Sequence, residues 1–213
     1  MKNNEKLNFL ETARDQFNKI FEEMITVDGG NIFTVDKFAR GIINRSVMII
    51  SGFCKMMKND NYLCAAPLVR LHLDSLLQLY AVFIVKNPHD YAFKKMKGKQ
   101  TNNLKDREGN KMEDGYLVEQ MIKSDKDFEW VKSVYKETSK FVHFSDKHIF
   151  SNVQIGTENN FIFSISDKME IPKKSEEEII DCMTEITKGL FKYLIGWVET
   201  KKIVGEKRKS LII

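Results

Sequence analysis

Apolar residues recur three and four apart along most of the chain, a spacing that places them on one face of a helix. Over residues 5–26 that face is Leu7, Leu10, Ala13, Phe17, Ile20, Phe21 and Met24. Asp28-Gly29-Gly30 ends it, because glycine takes up the left-handed C-cap backbone without steric cost. A second helix is predicted over 35–58, capped by Thr34, with Val35, Phe38, Ile42, Ile43, Val47, Ile50, Phe53 and Met57 inward. A third, over 61–86, is the most apolar. Pro67 within it either kinks the helix or marks its first turn, since proline has no N–H to donate. Asn87-Pro88 opens a short fourth helix with proline in its favoured first position.

Residues 97–112 show no apolar period and read as a long, mobile, basic loop. A short fifth helix follows over 113–123. Ser124-Asp-Lys-Asp127 supplies an N-cap and first-turn acids for a sixth, 125–145, with Phe128, Val131, Val134, Tyr135, Thr138 and Val142 along one side. From His148 the period becomes two: Ile149, Ser151, Val153, Ile155, a polar turn over 156–160, then Phe161, Phe163 and Ile165. That is a β-hairpin over 148–166. Ser175-Glu-Glu-Glu178 reads as a capping box for the last helix, 175–203, whose inner face is Ile179, Cys182, Met183, Ile186, Leu190, Tyr193, Leu194 and Trp197. The pattern predicts a single, mainly α domain over 1–213: a helical bundle with a small β-hairpin inserted before its last helix.

Only 3 prolines and 11 glycines in 213 residues exclude disordered, collagen-like and many-turned all-β chains. Three cysteines, Cys54, Cys64 and Cys182, form no CxxC pair. They exclude a disulfide framework and a cysteine-built zinc site, read as small buried hydrophobes, and suit a reducing cytosol. The most apolar run, 68–85, is broken by Arg70, His72, Asp74 and Gln78, which fits a buried helix and not a membrane span. The N-terminus leads straight into an amphipathic segment and shows no signal peptide. A cytoplasmic protein with no membrane partner is expected.

The net charge of +4 is unevenly spread. Residues 93–112 carry seven Lys/Arg against two acids, and 201–213 carry five against one. Such runs steer a polyanion or are simply solvated. If RNA is the polyanion, Lys94, Lys95, Lys97 and Lys99 are the candidate contacts.

No glycine-rich phosphate loop, HExxH or nucleophile elbow is present, and neither a metal nor a cofactor is expected. Polar residues inside apolar helices carry the candidate chemistry. Arg70 and Asp74 are four apart on the third helix and are expected to be largely buried, within pairing distance of each other or of Tyr135, Ser139 or His143. Tyr135, Ser139 and His143 are spaced i, i+4, i+8 on the sixth, flanked by Lys136 and Lys140. Structurally these are a register-fixing pair and a hydrogen-bonded seam. Functionally they are two stripes facing each other across the bundle, with His143 as a general base or phosphate ligand.

The third-helix run Pro-Leu-Val-Arg-Leu-His-Leu-Asp-Ser-Leu-Leu and the sixth-helix run Tyr-Lys-Glu-Thr-Ser-Lys-Phe-Val-His-Phe-Ser are similar to a bacterial family of helical proteins. Its members carry an Arg-x-x-x-acid helix and a Tyr-x-x-x-Ser-x-x-x-His helix. That family resembles the HEPN superfamily of four-helix-bundle proteins in toxin–antitoxin and abortive-infection systems, and the resemblance spans residues 35–150. It implies metal-independent RNA cleavage by an arginine and a histidine, four to six residues apart on one helix, in a site shared by a homodimer. Here the histidine is His143. The expected arginine is missing, and Lys136 stands six intervening residues upstream. Lysine keeps the charge but not the bidentate fork.

Under that reading Lys136 or Arg70 holds the phosphate, Tyr135 and Ser139 orient the histidine or ribose, and Asp74 orients Arg70. RNA and a cognate antitoxin or defence protein are the implied partners. A non-catalytic binding or dimerisation module, using the bundle face and the basic loop, is the competing reading. A nucleotide-sensing regulator is the third.

Overall fold

A computed structural model of the chain describes residues 3–142, 153–155, 161–163 and 171–210, without the side chains of 139–142, 153–155, 161–163 and 209. Among these residues the protein is mainly helical: α1 (Asn3–Thr26), α2 (Thr34–Lys58), α3 (Tyr62–Ile84), α4 (Pro88–Met96), α5 (Asp114–Ser124), α6 (Trp130–Val142) and α7 (Lys173–Ser210). α3 is the hub. It packs against α2, α7, α6 and α5, while α1 closes the bundle across α2 and α7. By length and composition α3 is apolar enough to cross a membrane. Its Val69, Leu73, Leu76, Leu77 and Val82 are instead buried against those neighbours. Each such side chain contributes about 1.5–3 kcal/mol when withdrawn from water.

The predicted inward faces match the core of α1, where Leu10, Ala13, Phe17, Ile20 and Met24 are buried. Gly29 (φ +68°) and Gly30 (φ +80°) make the predicted left-handed turn after it, joined there by Asp28 (φ +56°). Caps differ more. Thr34 does not cap α2. The Phe33 N–H instead donates to Asp36 Oδ2 at 2.7 Å. α3 starts at Tyr62 with the Asn61 side chain accepting from Cys64 N, so Pro67 falls in the second turn and not the first. Asn87 caps α4 as its sequence suggests, accepting from the N–H groups of His89 and Asp90.

The helix expected over 125–145 begins with a separate 3-10 turn, Lys126–Phe128, capped by Asp125. Ser124, the expected cap, lies against the Tyr80 hydroxyl at 3.3 Å. α7 begins two residues before Ser175. Of the region expected to hold a hairpin, only Val153–Ile155 and Phe161–Phe163 are described, and they pair antiparallel with Val153 opposite Phe163. The rest of 148–166 lies outside the described residues. Among the cysteines Cys54 is buried, but Cys64 is exposed.

The segment 97–112, expected to be mobile, is tied down. Leu104 and Met112 are buried in the core. Asp106 is the knot: its carboxylate accepts from the N–H groups of Glu108 and Asn110 and from the Tyr116 hydroxyl. Arg107 donates to the Phe83 and Ile84 carbonyls at the end of α3. A carboxylate bonded this way keeps its charge to lower pH than usual, and Asp106 titrates below the ordinary aspartate range despite its partial burial.

An unanticipated buried ion pair joins the two ends of the chain. Lys201 Nζ on α7 lies 2.8 Å from Asp36 Oδ2, and both side chains are 1% exposed. The ammonium also donates to the Met24 and Asn31 carbonyls, which uses all three of its protons. Trp197 Nε1 donates to Asp36 Oδ1 at 2.6 Å. Removing one partner strands the other charge, so Lys201→Ala is expected to cost about 3–5 kcal/mol. Replacing both charges, as in Asp36→Leu/Lys201→Met, should recover a large part of that loss. Urea unfolding of the three proteins reads the difference directly.

Candidate functional site

A cleft of about 740 Å³ opens beside α3, between the first half of α2, the end of α4, residues 100–102, the start of α5 and α6. Its volume lies within the range of small-molecule sites. Helical periodicity explains its wall: Asp74 and Gln78, one turn apart on α3 with the buried Ser75 between them, face Phe38, Ile42 and Arg45, successive turns of α2.

Two ion pairs organise the charges. Arg70 and Asp74, expected to reach each other or the Tyr135 stripe, do not pair with each other, whereas Arg70 does meet Tyr135. Arg70 Nη2 reaches Asp114 Oδ2 at the start of α5, 2.6 Å away. Asp74 Oδ2 lies 3.3 Å from Arg45 Nη2 on α2. The reason is direction: along one helix face, tertiary neighbours on both sides offer closer partners than an i, i+4 reach. Nor are both buried, since the Arg70 side chain is 15% exposed and that of Asp74 is 36% exposed. Arg45 also donates to the Leu71 carbonyl at 2.6 Å and to the Ser75 hydroxyl. The Gln78 amide donates to Asp74 and accepts from the Tyr91 and Thr101 hydroxyls.

The predicted stripes meet at one point. The Arg70 guanidinium lies over the Tyr135 ring, 4.5 Å from its centroid. Lys136, next along α6, is exposed and does not line the cleft. Ser139 sits on the described backbone of α6, but its side chain, and His143 altogether, lie outside the described residues. Of the candidate trio, Arg70 is held by Asp114 and Tyr135, Lys136 is exposed, and His143 lies outside the described residues.

The four basic candidates separate. Lys94 pairs with Asp90 at 2.6 Å. Lys97 stands over the Phe93 ring at 4.8 Å, and Lys99 is exposed. Lys95 turns into the cleft wall, where burial holds its ammonium below the ordinary lysine range against the pull of Asp74 and Asp114. Sequence reasoning placed Lys95 with its neighbours. The signal available was helical phase, since on α4 it falls on a different face from Lys94 and Lys97. Arg45, Asp114 and Lys37 were missed entirely, because an exposed-looking charge on an amphipathic helix carries no mark of its tertiary partner.

The buried His72 on α3 plays no part in the cleft. Its Nε2 lies 3.0 Å from Thr187 Oγ1, whose own proton goes to the Met183 carbonyl. Nε2 therefore carries the imidazole proton. Burial, then the nearby Arg45 charge, pushes its pKa down to about 3. Among the described residues no group of three or more His, Cys, Asp or Glu is placed to hold a metal ion. No family model, curated protein or solved structure matches the chain.

Two measurements follow from this geometry. Asp114→Ala strands the more buried guanidinium and is expected to cost about 1–3 kcal/mol, whereas Asp74→Ala, at a half-exposed pair, should cost about 0.2–1 kcal/mol. Chemical denaturation gives the order, and equal losses would contradict the pairing. For His72, the folded pKa lies below the unfolded value, so neutral imidazole favours folding above about pH 6.5. That stability is lost as pH falls from about 6.5 towards 3, because the unfolded chain takes up the proton first. The unfolding free energy of the native protein should therefore drop more steeply than that of His72→Gln between pH 6.5 and 4.5, by up to about 1.4 kcal/mol per pH unit.

Proposed function

We propose that the chain is a HEPN-like helical protein, of the bacterial stress or phage-defence type, that binds single-stranded RNA without cutting it. The observation that carries this reading is the exposed end of α4. Phe93 is 49% and Met96 46% exposed there, with the Lys97 ammonium over the Phe93 ring and Lys99 exposed two residues further along the chain. An aromatic face rimmed by cations suits a stacked base with its phosphate. A cytoplasmic homodimer, a cognate antitoxin or defence partner, and an inserted hairpin before α7 belong to the same reading.

The position of Arg70 argues against cleavage. Its Nη2 is held by Asp114 and its face by Tyr135, and its Nη1 is buried without a hydrogen-bond partner, so the fork does not present a solvent-facing bidentate edge to a scissile phosphate. One contact favours the nuclease reading as a second possibility: Arg70 reaches Tyr135, on the helix that leads towards His143.

Binding of a single-stranded oligoribonucleotide should weaken about twentyfold between 50 and 200 mM salt, as about three neutralised phosphates require. Lys97→Glu/Lys99→Glu should flatten that slope, and Phe93→Ala should cost about 1–3 kcal/mol. In excess EDTA the RNA should stay intact. Cleavage to cyclic-phosphate ends that His143→Ala abolishes would instead establish the nuclease. Absence of salt-sensitive binding would remove both readings.

A further inference from the structure

The charges around the α2–α3–α4 cleft do not all find partners inside the protein. Asp74 is taken by Arg45 and Asp114 by Arg70. Two cations that line the cleft, Lys37 and Lys95, have no ion-pair partner among the described residues. Glu113 is the one remaining lining acid, and it is exposed at the rim. Both acids deeper in the cleft are thus neutralised while its wall keeps positive charge.

Lys95 differs from the other lysines of α4 in its surroundings. It is half-buried on the wall of a concave site, where Lys94 has Asp90 and Lys97 has the Phe93 ring. Asp74 and Asp114 attract this ammonium from beyond ion-pair distance and are themselves held by Arg45 and Arg70, so an anion entering the cleft would supply the contact partner that a desolvated ammonium lacks. Its lowered proton affinity agrees with a charge awaiting compensation. Hydrogen-bonding groups for the rest of a ligand are close by: the exposed side chains of Gln100 and Asn102 stand at the mouth, and Phe38 and Ile42 supply apolar surface. A cationic ligand would find the Asp74 and Asp114 carboxylates already occupied.

We propose that this cleft is a binding site for a small organic anion, whose carboxylate or phosphate group is held by Lys95 and Lys37, the two lining cations outside the Arg45–Asp74 and Arg70–Asp114 pairs. The site is distinct from the Phe93–Lys97–Lys99 surface and does not depend on RNA binding there. Occupation would neutralise the one lining lysine that the fold leaves half-buried without a partner.

Competitive acetylation of the full chain, read by mass spectrometry lysine by lysine, tests the assignment, with malonate and inorganic phosphate as probes at constant ionic strength. For a dissociation constant of about 1 mM, about 20 mM probe should slow acetylation of Lys95 about twentyfold and leave Lys99 unchanged. Protection by malonate alone assigns a carboxylate ligand, and by phosphate alone a phosphate ester. Probe-induced thermal stabilisation should persist in Lys95→Arg, which keeps the charge, and disappear in Lys95→Gln. Equal protection of Lys95 and Lys99, no protection by either probe, or full stabilisation of Lys95→Gln would overturn the proposal.

Discussion

The Asp36–Lys201 pair holds together parts of the chain that are far apart in sequence. Its ammonium binds the last turn of α1 through the Met24 carbonyl, the α1–α2 turn through the Asn31 carbonyl, and the first turn of α2 through Asp36. Every donor and acceptor at its centre is used, so two buried charges become a fixed junction instead of a defect. Around it Arg208 pairs with Asp28 at 3.1 Å, and Gly205 leaves the space into which the Asp28 side chain packs. A Cβ at Gly205 would stand 2.5 Å from the Asp28 carboxylate. The second half of α7 is thereby seated on the α1–α2 corner, while α2 packs directly along α3.

That relative placement of α2 and α3 decides the character of the cleft. With Arg45 facing α3, Asp74 and Ser75 gain a partner on another helix, and Asp74 is released from Arg70. Arg70 turns the other way, to Asp114 and Tyr135. The same helix face thus feeds two separate ion pairs, and the unpaired charge moves to Lys95 and Lys37. A single i, i+4 pair on α3 would have left Arg45 and Asp114 as the cleft's free charges. The chemistry available at the cleft is set by which neighbours compete for each side chain.

Rigidity has a similar origin in the segment after α4. Its composition is that of a solvated loop, yet Asp106 gathers two backbone N–H groups and a tyrosine hydroxyl while Leu104 and Met112 anchor its middle and its end in the core. The isolated pairing of Lys105 with Lys111 closes the turn. The basic residues at the end of α4 are consequently presented from a firm base, with Lys95 and Lys97 on different faces.

Helix periods, the glycine turn after α1 and the Asn87-Pro88 start of α4 were legible in the sequence, because each depends on interactions within a few residues. The inward face of α1 and the buried course of α3 were legible for the same reason: burying an apolar stripe leaves little choice of orientation. Pairing of charges was not. Arg70 has an acid four residues along its own helix, and sequence distance favours that partner, but Asp114 lies closer in space. Likewise nothing local distinguishes Lys201 from the other lysines of the C-terminal run, or Lys95 from Lys94. Their roles were decided only by tertiary structure, since a side chain's charge is a local property whereas its burial and its counter-ion belong to the packing of several helices at once.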